Sequence, residues 1–133
     1  MRTIALRLRP GADLKAELLA LAAREGVRAG WVLTFVGSLS RVRLCMAGGA
    51  EHGTWQGAFE IVALTGYPVA GRRPPAPGGG RPRGRTFGGH LAEGCTVRTT
   101  AEVVVAADDR LVFCREHDPA TGYDELVVRE RDP

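Results

Sequence analysis

Apolar and polar residues alternate from Arg2 to Leu8, with Ile4, Leu6 and Leu8 on one side and Thr3, Ala5 and Arg7 on the other. A period of two predicts a half-buried strand over 2–9, ended by Pro10-Gly11. The period then lengthens. Leu14, Leu18, Leu21 and Ala22 recur at helical spacing, Asp13 offers a carboxylate to the free N–H groups of a first turn, and Gly26 supplies a left-handed stop. A helix over 13–25 follows. Residues 30–37 are mostly apolar and β-rich, which makes Trp31, Val32, Leu33 and Phe35 core candidates. Residues 40–46 alternate, so the two stretches predict a hairpin across Gly37–Leu39. Gly48-Gly49 turns the chain toward a strand over 57–65. Order returns at 86–92. The strongest strand signal covers 96–106, and Asp108-Asp109 turns it into 110–115. Residues 117–122 are a predicted loop, and 123–130 a last short strand around Leu126-Val127-Val128. One helix and about seven strands, mostly hairpin-linked, predict an α+β domain with a mainly antiparallel sheet.

Composition narrows the class. With 133 residues, 44% apolar and 25% charged, the chain is sized for one domain over 1–133 with a real core. No apolar run approaches the ~20 residues of a membrane helix. Arg7 and Arg9 interrupt any signal-peptide core at the start. Cys45, Cys95 and Cys114 show no paired spacing, which argues against a disulfide framework or a zinc ribbon and for a reduced, cytoplasmic setting. The formal net charge is +3, so the position of the charge says more than its sum.

That position is uneven. Residues 67–85 hold five of the eight prolines and five arginines, and no acid lies between Glu60 and Glu93. Proline lacks a ladder donor, and Gly78-Gly79-Gly80 orders only at high entropic cost. The stretch is expected to be an extended, flexible, positive loop.

Four segments share an order and spacing. They are Phe59–Gly66, Gly88-Gly89-His90-Leu91 with Gly94-Cys95, Thr99–Val105, and Asp118–Leu126. Together they resemble the plant-and-prokaryote-conserved (PPC) domain, the module that follows AT-hooks in plant nuclear proteins. The resemblance implies an α+β fold assembled as a homotrimer, and a DNA-binding or transcription-regulatory role. It also implies a His-x-His strand between the Leu64-Thr65-Gly66 strand and Gly88-Gly89-His90-Leu91, which with the latter's histidine looks like a three-histidine metal site. Here the Pro/Gly/Arg segment stands in that place and His90 alone is present. A zinc site needs about three protein ligands, so only a three-fold axis bringing His90 copies together would supply them. Two origins of the segment stay open: a lineage-specific loop, or an out-of-frame reading of a His-x-His strand.

Arg81-Pro82-Arg83-Gly84-Arg85 looks like the core of an AT-hook. A narrow A·T minor groove concentrates negative potential, and extended arginines flanking a glycine fit its floor. Arg72 and Arg73 would add phosphate contacts. Thr86, where an AT-hook continues with proline, departs from the pattern. Glu102, among Val103, Val104 and Val105, is read as a structural ion-pair partner of Arg98 or Arg115, or as a pocket carboxylate beside His90. Glu125 carries the same two readings. His52 and His117 fall in predicted loops. Cys95 is read as a buried, inert thiol, and no nucleophile, phosphate-loop or dinucleotide motif is present.

Three functional readings result. The first is a cytoplasmic homotrimer that binds A·T-rich DNA or a regulatory protein, with no catalysis and no membrane partner. The second is an enzyme-like metal- or small-molecule-binding protein with a site around His90, Glu102 and Glu125 at a subunit interface, with zinc as its candidate cofactor. The third is an oligomerisation scaffold.

Overall fold

The computed structural model describes residues 1–49, 51–66, 76–81 and 85–132, with 76–81 as backbone. Its main sheet has seven strands. The path β1 (Arg2–Leu8), β7 (Thr96–Ala107), β2 (Gly30–Cys45), β3 (His52–Thr65), β4 (Ala76–Arg81), β5 (Arg85–Gly88) runs from edge to edge. The two-residue β6 (His90–Leu91) pairs with β2 beyond the end of β7. Every pairing is antiparallel. A separate hairpin joins β8 (Leu111–Asp118) to β9 (Tyr123–Glu130). The architecture is α+β, with one helix among the described residues, α1 (Leu14–Arg24). No helix among them is long and apolar enough to cross a membrane.

The helix forms where the periodicity places it, and Asp13 fixes its start. Asp13 Oδ1 accepts from the Ala16 N–H at 3.0 Å, and Oδ2 accepts from the Gly94 N–H at 2.6 Å. Alongside, the Leu14 N–H donates to the Cys95 carbonyl at 2.9 Å. One carboxylate therefore caps the helix and ties it to the turn before β7. Leu14, Leu18 and Leu21 bury against Leu39, Leu44, Leu91, Val97, Val103 and Val105. Removing a cap and a second backbone partner together is expected to cost about 2 kcal/mol, so Asp13→Ala should lower the denaturant midpoint accordingly.

Gly37–Leu39 does not turn. Residues 30–45 form one strand, with register shifts against β7 at Val32/Thr34, Gly37/Leu39 and Leu39/Arg41. Gly37 marks a close backbone approach: a Cβ there would stand 2.6 Å from the Thr100 carbonyl oxygen and 2.8 Å from Ala101 Cα. The shift at Val32/Thr34 also turns Leu33 outward, so this expected core residue is half exposed. β3 begins at His52, earlier than expected, and Trp55 packs its ring where a side chain on Gly53 would be. β8 extends to Asp118, which places His117 on a strand.

The expected loop over 67–85 is corrected at 76–81, which form β4 between β3 and β5. Ladder bonds come from the backbone and need no side chain. Partners on both sides are held in place, because Phe87 of β5 packs on Trp55 and Phe59 of β3 at centroid distances of 4.9 and 5.9 Å. The rest of that expected loop, 67–75 and 82–84, lies outside the described residues.

Among the described residues, the turn between β7 and β8 carries a strong charge perturbation. Arg110 Nε and Nη2 donate to the nearly buried Asp108 carboxylate at 3.0 and 2.7 Å, and the Arg110 N–H adds a third bond at 3.0 Å. These side-chain bonds, then the backbone one, hold Asp108 far below the usual carboxylate range. Protons therefore bind the unfolded chain first. The contribution is complete above the ordinary aspartate value of about 3.9 and is lost as pH falls below it toward the folded value. Asp108→Asn should flatten the acid limb of a stability-versus-pH curve below about pH 4 while leaving its shape near neutrality unchanged.

Candidate functional site

The expected site residues fall in three separate places. His90 sits on β6 at the far end of β2, where it is the register partner of Cys45. On the other side of β2, Cys45 pairs with His52. Directly opposed residues on neighbouring strands share a face, so His52, Cys45 and His90 form one row across β3, β2 and β6. They line a cavity of about 500 Å³ with Lys15 and Tyr123. The Cys45 thiol donates to the Met46 and Gly49 carbonyls at 3.8 and 3.7 Å. Arg43 and Arg41 follow at alternate positions of β2, opposite Thr54 and Gln56.

Glu102 is elsewhere. It is exposed in the middle of β7, with Arg7 and Val36 as register partners. It borders a shallow depression with Ala5, Thr34 and Val104. Glu125 lies on β9, where it accepts from the Thr121 hydroxyl at 3.0 Å and faces Arg115 Nη1 at 3.9 Å. The structure thus brings His52 and Cys45 to His90, and does not bring Glu102 or Glu125 there.

Cys95 is fully buried. Its sulfur accepts from the Arg43 N–H and its thiol donates to the Arg43 carbonyl, both at 3.2 Å. Burial pushes this thiol up from its ordinary value, so it stays protonated and inert near neutrality. His117 Nδ1 stands 3.9 Å from Asp124 on the β8–β9 hairpin.

Zinc requires about three converging ligands. Among the described residues, no three histidine, cysteine, aspartate or glutamate side chains are grouped to hold a metal ion. The row around His90 does not fit zinc as it stands.

Two of the arginine candidates, Arg81 and Arg85, fall at an edge of the sheet. Arg81 ends β4 and is the register partner of the exposed Arg85, which begins β5 at the margin of the sheet. Arg72, Arg73, Arg83 and Gly84 lie outside the described residues.

The Plants and Prokaryotes Conserved (PCC) domain profile matches residues 1–108. A cyanobacterial protein of Synechococcus, named bifunctional protein GlmU, is 42% identical over 130 residues, which is 98% of this chain and 21% of that one. The chain therefore spans about a fifth of the length of the curated relatives it matches. A solved hypothetical protein of Salmonella enterica is 37% identical, covering 98% of this chain and 94% of its own, with a TM-score of 0.93. A candidate DNA-binding protein of Bacteroides thetaiotaomicron shares the fold at a TM-score of 0.80 and 18% identity, covering 94% of this chain and 91% of its own.

Proposed function

We propose that this chain, which belongs to the Plants and Prokaryotes Conserved domain family, is a DNA-binding module that works as a homotrimer and contacts DNA through the arginines of the β4–β5 edge. The observation that carries this reading is the opposition of Arg81 and Arg85 across the edge hairpin, inside a stretch with no acid from 61 to 92. Two arginines at opposed register positions favour a phosphate-rich partner, which offsets their like charge. A fold-sharing relative named as a candidate DNA-binding protein lends support. Trimerisation accords with apolar side chains left exposed on the sheet, namely Leu33, Val36 and Val62, because exposed apolar surface favours association. Three copies of one cationic edge would then act together on a single duplex. Gel-shift titration with A·T-rich and G·C-rich duplexes tests the reading. Retardation at low salt, stronger for A·T-rich duplex, is expected. Failure to retard either duplex at low salt defeats it.

A second reading, metal binding, is permitted by the coding possibilities of 74–77. Pro74-Pro75-Ala76-Pro77 is encoded as CCN-CCN-GCN-CCN, and Gly78 begins with G. Read one base later, the same stretch gives CNC, CNG, CNC, CNG. CAC in the first and third places is His-x-His, with x drawn from Leu, Pro, Gln or Arg. The stretch runs from 74–75, outside the described residues, into the start of β4, and lies between Leu64-Thr65-Gly66 and Gly88-Gly89-His90-Leu91, the place the family resemblance gives to a His-x-His strand. The gene itself decides. CAC in both places of the shifted frame supports an imidazole-bearing strand beside His90, and any other base at either middle position removes this reading.

A further inference from the structure

We propose that the cavity between the β2–β3 turn and β6 binds a small phosphomonoester. Its polar walls come from three elements: Lys15 on the first turn of α1, the His52–Cys45–His90 row across the sheet, and Tyr123 at the start of β9. Among the described residues no carboxylate lines it. A pocket offering an ammonium, two imidazoles and a phenol, with no acid to compete, selects an anion. Several donors from different directions suit a group with three outer oxygens better than a planar carboxylate. The volume of about 500 Å³ far exceeds inorganic phosphate and lies in the range of small-ligand sites. Met46, Ala47, Leu91 and Ala92 form the apolar part of the wall, where the organic portion of the ligand would rest. The cavity lining includes none of the residues invoked for duplex binding: the edge arginines are on β4 and β5, whereas the lining comes from β2, β3, β6, α1, β9 and the β2–β3 turn.

Calorimetric titration of the full chain with ribose 5-phosphate, and with ribose as the uncharged control, tests the proposal. Saturable binding of ribose 5-phosphate and none of ribose is expected. His52→Gln and Lys15→Gln, both on side chains outside the buried core, should each weaken that binding about tenfold while leaving duplex retardation unchanged. Conversely, Arg81→Ser with Arg85→Ser should leave the titration unchanged. Equal binding of ribose and ribose 5-phosphate overturns the proposal, and so does an affinity unaltered in both cavity variants. Loss of duplex retardation in the cavity variants overturns it as well, since the phosphates recognised there would then be those of DNA.

Discussion

Duplex affinity should fall about 500-fold between 50 and 200 mM salt if Arg72, Arg73, Arg81, Arg83 and Arg85 each meet one phosphate. Every neutralised phosphate contributes about 0.9 to the slope of log affinity against log salt, so five contacts give a slope near −4.5. Fluorescence anisotropy of a labelled duplex reads this directly. Arg81→Ser with Arg85→Ser should make the slope shallower by about 2. It should leave thermal stability intact or raise it, because the two positions face each other across the β4–β5 ladder and the substitution removes a like-charge pair. A slope that ignores these substitutions would place the contacts elsewhere on the protein.

Gly37→Ala should be among the most damaging glycine-to-alanine changes at the described positions of the sheet. The added Cβ meets backbone on the neighbouring strand, at 2.6 Å from Thr100 O and 2.8 Å from Ala101 Cα. No side-chain rotation relieves such a contact, so β2 and β7 must separate. We expect a loss of about 3 kcal/mol and on the order of 10 °C in melting temperature. Gly48→Ala is the matched control: its φ of +98° strains any side chain, but a Cβ there has nothing within 4 Å. That substitution should cost only about 1 kcal/mol. If Gly37→Ala costs no more than Gly48→Ala, the continuous strand is wrong and a turn at 37–39 returns.

The same glycine explains what sequence alone could and could not reveal. Periodicity placed α1 and its Asp13 cap, and it placed the last strand at 123–130, because each is set by residues close in sequence. Gly37 misleads because the residue that permits a turn also permits two backbones to touch, and which of these applies depends on β7, some sixty positions away. β4 was hidden for a related reason. Ala-Pro-Gly-Gly-Gly-Arg has almost no side-chain preference for a strand, and its pairing comes from neighbours anchored by Phe87, Trp55 and Phe59.

The site shows the same division. His90 was legible from its Gly-Gly-His-Leu context. Its companions His52 and Cys45 were not, because cross-strand register assembles the row and no local spacing announces it. One signal existed. The alternation of 40–46 already set Arg41, Arg43 and Cys45 on one face, opposite Val42 and Leu44 in the core. Glu102 and Glu125 were drawn toward His90 by chemistry alone, and the topology keeps them apart.

The claim on which the functional reading depends is that DNA meets the cationic edge of the sheet. Amide hydrogen exchange of the full chain, with and without a saturating A·T-rich duplex, addresses it at the level of single elements. Slowed exchange over 76–81 and 85–88, with the β8–β9 hairpin unchanged, is the predicted footprint. Protection confined to β8–β9 or α1, with β4 and β5 exchanging as in the free protein, would contradict it.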